Sequence, residues 1–458
     1  MSEKLKGNKM GYAPMFPLII SMALPAMFSM TVMALYNVVD SIFVGNIPQY
    51  GETGLNALSY AYPLQMLMIS FTVGTAVGCN SLISRRLGAG NQKEADSAAT
   101  HGIILALFTW VLFIIIGIFA VTPYLNLYNC NGKLFEYGKQ YLTIVLCLSG
   151  FTMVQCSIEK TLQATGDMIF PMLFQLVGAV TNIIFDPLLI YGIGPFPKLE
   201  VMGAAIATVF GQFVAMVFSL IVIFCKKNKI KVTFKGFRLE LSTIKNIYAV
   251  GFPSIIMQSI SSFMLLGMNA MLDAIGVTVL GIYFKLQSFV FMPCFGLNQG
   301  LLPVMGFNYG ARNKKRIYSA MKCGISIALV IMSIGMILFL TIPDKLILMF
   351  NSENEQLMQT GIAAFRTICF CFIPAALAII FISLFQATGK GMRALILSFT
   401  RQLIFILPIA FLISNILGFK DMIWLAFPLA EVGSLILAII LFVQLAKTDF
   451  KKLDQPVN

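Results

Sequence analysis

Residues 97–121 read SAATHGIILALFTWVLFIIIGIFAV, a run of twenty-five without a single Asp, Glu, Lys or Arg. At ~1.5 Å of helical rise per residue, such a run crosses the ~30 Å hydrocarbon layer of a bilayer. It is not alone. Comparable apolar stretches lie near 15–45, 53–83, 137–164, 168–193, 201–225, 243–273, 277–308, 318–342, 357–387, 392–416 and 421–446, giving twelve predicted spans. Over all 458 residues, 58% are hydrophobic and 11% charged, with a mean hydropathy of +0.87. A soluble domain carries about 25% charged residues. The composition excludes a soluble enzyme, a disordered chain and a nucleic-acid-binding domain. The runs are too long and continuous for an outer-membrane barrel, whose strands alternate over about ten residues. An all-α polytopic membrane protein is the expected fold class.

The formal net charge of +13 is explained by topology. With both termini cytoplasmic, 24 of the 32 Lys and Arg residues fall on the cytoplasmic side, densest between Lys226 and Lys245. Five (Lys133, Lys139, Lys198, Lys345, Lys420) fall outside, and Lys285, Arg366 and Arg401 lie within spans. This is the positive-inside pattern, and it needs no acidic ligand. Residues 1–14 are a polar cytoplasmic tail with no signal-peptide pattern. Residues 447–458 form a second cytoplasmic tail. The nine cysteines sit mostly in apolar runs and read as small buried hydrophobes.

The hydrophilic stretch 226–242 is a cytoplasmic linker between six helices at 15–225 and six at 243–446. The halves repeat. Leu24-Pro25 is echoed by Phe252-Pro253, Leu87-Gly88-Ala89-Gly90-Asn91 by Tyr309-Gly310-Ala311-Arg312-Asn313, and Gln163-Ala164-Thr165-Gly166 by Gln386-Ala387-Thr388-Gly389. Six spans return the chain to the same face, so the repeats are parallel. They form an N-lobe and a C-lobe around a central cavity, an arrangement that suits a secondary transporter working by alternating access. Two lobes in one chain suffice for a monomer.

No Walker A motif is present, and with one histidine no His/Glu zinc motif is possible. No enzyme activity, ATP use or cofactor is expected, so transport is expected to be driven by an ion gradient or a partner, or to run downhill. Charges inside a bilayer are costly and mark function. Asp40 in helix 1 and Asp186 in helix 5 are such charges. Asn37 and Tyr36 share the Asp40 face, and Asn182 shares the Asp186 face. Pro25, Pro187 and Pro253 each remove a backbone donor and bend their helices. Carboxylate, amide and freed carbonyl oxygens are hard ligands for a small cation. Asp40 and Asp186 are therefore expected to couple H+ or Na+ to transport. Glu159 and Lys160 read as an interfacial pair. In the second half, Asp273 and Glu431 are candidate partners of Lys285, Arg366 and Arg401. Met257, Gln258, Met268, Asn269, Lys285 and Arg366 are candidates for lining a substrate cavity, where thioethers suit promiscuous binding.

Tyr36-Asn37-x-x-Asp40-x-x-Phe43-Val44-Gly45, Gly203-Ala204-Ala205-Ile206-Ala207-Thr208, and Pro293-x-x-Gly296-Leu297-Asn298-Gln299-Gly300 through Asn308-Tyr309-Gly310-Ala311-Arg312 together resemble the multidrug and toxic compound extrusion (MATE) family. The resemblance is to the prokaryotic branch whose ion site lies in the N-terminal lobe. It implies a cation or proton site at Asp40, Asn182, Asp186 and Thr208, with Na+ as a possible occupant. It also implies multidrug efflux by antiport, exchanging Na+ or H+ for amphiphilic, often cationic, small organic compounds across the bacterial cell (inner) membrane. Another branch carries a glutamate shortly after the proline matching Pro253. Here Ser254 through Ser261 contain no acid. The rival expectation is a flippase of lipid-linked oligosaccharide or another lipid, which the three intramembrane cations would favour.

Overall fold

The computed structural model describes residues 8–225, 228–234, 237–349 and 355–453, the side chains of Ala34, Asn37, Val38, Ser41, Lys420 and Asp421 excepted. Among them there is no β-strand. The long helices are α1 (Met15–Gly45), α2 (Gly51–Gly88), α3 (Gln92–Phe119), α4 (Gly132–Cys147 continuing as Gly150–Ala164), α5 (Ile169–Tyr191) and α6 (Val201–Cys225). They continue as α7 (Leu241–Asn269), α8 (Ala274–Gly310), α9 (Lys314–Thr341), α10 (Glu355–Ala387), α11 (Gly391–Ile416) and α12 (Met422–Leu453). Eleven are long and apolar enough to cross a membrane, and the two segments of α4 make a twelfth. The predicted all-α, twelve-span class is what the chain adopts.

The fourth span, expected near 137–164, is broken into two helical segments. It bends by 44° between Cys147 and Gly150. The indole of Trp110 is the reason. A Cβ on Gly150 would lie 2.1 Å from Trp110 Cδ2, so only glycine lets the chain pass. Trp110 Nε1 then donates to the Cys147 carbonyl at 2.7 Å, satisfying an acceptor freed by the break.

The repeated tags fold alike. Asn91 and Asn313 cap α3 and α9 with backbone angles of −94°, 79° and −96°, 79°, and each accepts a backbone N–H three residues on. Gly90 (φ 76°) is matched by Arg312 (φ 56°), and Gly166 (φ 90°) by Gly389 (φ 80°). Arg312 thus occupies a left-handed position where the first half uses glycine, at some steric cost.

By contacts the chain forms two units. Unit 1 comprises Met1–Met27, Gly88–Gly90 and Ile256–Asn458; unit 2 comprises Phe28–Leu87 and Asn91–Ile255. Within unit 1, α8 seats the start of α1 on Gly296 and Gly300: a Cβ on Gly296 would lie 2.5 Å from Met27 Cα. Within unit 2, α2 seats the start of α7 on Gly74 and Gly78: a Cβ on Gly78 would lie 2.3 Å from the Ile247 carbonyl oxygen. Both glycine pairs are small-xxx-small seats that let backbones touch. They sit at equivalent places in the two repeats.

Unit 2 also holds the stretch before α7. Gln92, Asp96, Thr100 and His101 stand along one side of α3. Gln92 Nε2 donates to Lys229 O (2.6 Å), Asp96 Oδ1 accepts from Lys231 N (2.9 Å), Thr100 Oγ1 from Thr233 N (3.4 Å) and His101 Nε2 from Glu240 N (2.9 Å). His101 is therefore a buried clasp for this strap.

Candidate functional site

The site begins with the seam between α5 and α6. Gly178, Gly203 and Gly211 carry no side chain there. A Cβ on Gly211 would lie 2.6 Å from Gly178 O, and one on Gly203 would lie 2.5 Å from Leu189 O. That closeness brings Thr208 of α6 against Asn182 and Asp186, one turn apart on α5. Asn182 Nδ2 donates to Asp186 Oδ1 at 3.2 Å and to Thr208 Oγ1 at 3.3 Å. Asn182 and Asp186 are 3% and 0% exposed.

Asp40 comes in from α1. Its carboxyl and that of Asp186 stand in hydrogen-bond contact. Two carboxylates are acceptors only, so such a contact needs a proton on one of them. Tyr36 lies within electrostatic reach of both acids. The predicted members Tyr36, Asp40, Asn182, Asp186 and Thr208 thus come together inside unit 2. The side chain of Asn37 lies outside the described residues. Three oxygens of the group, Asp40 Oδ1, Asn182 Oδ1 and Asp186 Oδ2, are buried without a protein partner. Buried acceptors in that state demand a donor or a cation. Among the described residues no cluster of three His, Cys, Asp or Glu forms, so a transition-metal centre has no ligand set here.

Two residues join the group unpredicted. Tyr141 of α4 is buried, lies within reach of Asp40, Asp186 and Tyr36, and hydrogen-bonds the side chain of Gln65 on α2. A lone tyrosine in an apolar run carries no sequence signal of that kind.

A cleft of about 130 Å³ adjoins the group. Tyr36, Asn182 and Thr208 form part of its wall, with Gln155, Gln175 and Gln212 beyond them. Behind Gln155 and Gln175 stands Glu159. It is buried, 3% exposed, and pairs with Lys160 at 3.2 Å. Glu159 Oε2 accepts from Gln155 Nε2 and Gln175 Nε2, each at 3.1 Å, and Oε1 accepts from Gln163 Nε2 at 3.1 Å. The i, i+4, i+8 spacing of Gln155, Glu159 and Gln163 is a sequence signal that marks this network.

The second half gathers its candidates less. Met268 is fully packed; Met257 and Asn269 are half-buried; Gln258, Lys285 and Arg366 are exposed. None of the six is among the residues lining the cleft. Pro25, Pro187 and Pro253 lie inside α1, α5 and α7. Arg401 pairs with Glu431 at 3.6 Å, whereas Asp273 caps α8 by accepting from Gly276 N at 2.7 Å.

Comparison with known proteins agrees with this architecture. The MatE family model matches residues 25–188 and again 252–412, once in each repeat. The chain is 25% identical over 423 residues to the FAD transporter of Shewanella oneidensis, covering 92% of each sequence. It is 25% identical over 408 residues to the multidrug export protein MepA of Staphylococcus saprophyticus, covering 88% of each. A solved outward-facing multidrug resistance MATE family transporter superposes with a TM-score of 0.88 at 25% identity, covering 99% of this chain and 98% of that one. This chain belongs to the MatE family of multi-pass membrane transporters.

Proposed function

Starting from membership of that family, we propose that the chain is a secondary active exporter that exchanges H+ or Na+ for small amphiphilic organic compounds by alternating access. The acid pair Asp40 and Asp186 carries the coupling cation. One observation carries this reading: the carboxyl of half-buried Asp40 meets that of buried Asp186, and Asp40 Oδ1, Asp186 Oδ2 and the adjoining Asn182 Oδ1 are buried without a donor. A shared proton satisfies the carboxyl contact. A Na+ ion among Asp40, Asn182, Asp186 and Thr208 would satisfy the same oxygens without it. The cleft beside the pair takes the organic substrate. Because Tyr36, Asn182 and Thr208 belong to both, substrate and cation act on the same walls.

The test is efflux from proteoliposomes. Imposed pH or Na+ gradients should drive ethidium export by the native chain, and the ion that does so identifies the coupling. Asp40→Asn and Asp186→Asn should each abolish gradient-driven export while leaving the protein folded. Full coupling in both variants would sink the proposal. A second reading, export of an anionic dinucleotide, is favoured by the likeness to the FAD transporter. Gradient-driven release of FAD, with none of ethidium, would support it.

A further inference from the structure

The network behind the cleft has a chemical consequence. An ionised carboxylate accepts hydrogen bonds and donates none. Glu159 therefore dictates which end of each neighbouring amide it meets. Gln155 and Gln175 turn their nitrogens to Glu159 Oε2, so their oxygens point the other way. Both residues line the cleft. Gln175 Oε1 is left without a protein partner, as are Gln212 Oε1 and Asn182 Oδ1 on the same wall. Asn182 repeats the pattern, because its nitrogen is spent on Asp186 and Thr208. These three acceptors are buried behind the lining of the cleft and stay unmatched until a donor reaches them. The charge of Glu159 is balanced by Lys160 at 3.2 Å, and Lys160 Nζ is held in turn by Gln163 Oε1 at 2.9 Å. Selection at this wall works through the sense of its hydrogen bonds rather than through net charge.

We propose that Glu159 is a specificity-determining positioning residue: by holding the amide nitrogens of Gln155 and Gln175 on its carboxylate and turning their oxygens away from it, it makes the cleft select organic cations that carry N–H donors, such as amines, amidines and guanidines. This rests on the reading of the cleft as the substrate site. A cation without N–H groups leaves these oxygens unmatched, as they are before it binds, and forgoes the roughly fivefold or more that each new hydrogen bond adds to binding. Glu159→Gln has the same shape but accepts and donates alike, so it releases the two amides from a single orientation.

The experiment compares two monovalent cations in proteoliposomes under the same driving gradient. Ethidium carries two aromatic amino groups, and tetraphenylphosphonium carries no N–H. The native chain should show the lower KM for ethidium. In Glu159→Gln the KM for ethidium should rise about tenfold, with that for tetraphenylphosphonium moving less than about twofold and both maximal rates nearly kept. Glu159→Gln removes the carboxylate that stands 3.2 Å from Lys160. The double variant Glu159→Gln/Lys160→Gln removes both charges together and should give the same KM split should the single variant fail to fold. An unchanged KM ratio in a folded variant, or an equal loss of maximal rate for both cations, would overturn the role of Glu159 while leaving the exporter reading intact. Failure of the native chain to export either cation would overturn the exporter reading and this inference with it.

Discussion

Gly211→Ala adds one methyl group to the α5–α6 seam and removes no polar atom. Its Cβ would lie 2.6 Å from Gly178 O and 3.3 Å from both Asn182 N and Cβ. Carbon does not sit closer than 3.0 Å to such an atom, so the helices must part there by about 0.4 Å or more. Asn182 Nδ2 and Thr208 Oγ1, already 3.3 Å apart, then separate beyond hydrogen-bond reach of ~3.5 Å. Overpacking of this kind costs about 1–3 kcal/mol, and the lost hydrogen bond costs about 1 more. Gly178→Ala, on the same seam, meets Ala215 Cβ at 3.3 Å and Gly211 O at 3.4 Å, which small adjustments absorb for under about 1 kcal/mol. The purified protein's thermal midpoint in detergent should fall by several degrees in Gly211→Ala and little in Gly178→Ala. Gradient-driven efflux should fail in the first and persist in the second. Equal midpoints for the two variants, or full coupling in Gly211→Ala, would refute the claim that this seam holds the site together.

The seats for α1 and α7 make a parallel case: Gly78→Ala and Gly296→Ala should each destabilise by about 1–3 kcal/mol, whereas Gly281→Ala, with nothing within 4 Å, should be neutral or slightly stabilising in thermal unfolding. Arg401→Met should leave the buried Glu431 unpaired and cost about 3 kcal/mol or more. Adding Glu431→Met should recover much of that, as a thermal double-mutant cycle would register. Asp96→Ala should free the Lys231 amide and raise its hydrogen-exchange rate at least about fivefold, with the Glu240 amide on His101 less affected.

What was legible in the sequence follows from how expensive each feature is. Twelve apolar runs are unmistakable because a bilayer tolerates little else. Asp40 and Asp186 stand out because a carboxyl in hydrocarbon needs a reason to be there. The turns at Gly90 and Gly166 announce their repeat because a tight helix ending requires a left-handed residue. The break in α4 did not show, since it depends on Trp110 of another helix lying against Gly150. Glu159 was half legible. The 155, 159, 163 spacing lies along one helix, but Gln175 reaches it from α5, and burial is a tertiary fact. Without that burial, an adjacent Glu-Lys pair reads as an interfacial salt bridge. The glycine seats were also half legible: Gly74/Gly78 and Gly296/Gly300 share one spacing, yet only the packing tells which helix each receives.

Two acidic systems stand behind the lining of one cleft, and under the exporter reading their difference explains why only one is suited to coupling. Glu159 has an ammonium at 3.2 Å and three amide donors, so its charge and its lone pairs are met from within the protein. Adding a cation there would displace a partner already in place. Among the described residues no ammonium pairs with Asp40 or Asp186, and each acid keeps an oxygen without a hydrogen-bond donor. A cation arriving at that pair fills a need instead of breaking a contact, and its departure restores the need. Under the exporter reading, Asn182 ties this cycle to the substrate, because its nitrogen holds Asp186 and Thr208 while its side chain walls the cleft. Whatever affinity the cation changes for the organic compound, the organic compound must change for the cation by the same factor. A transporter needs that reciprocity, and here it requires no route longer than one asparagine.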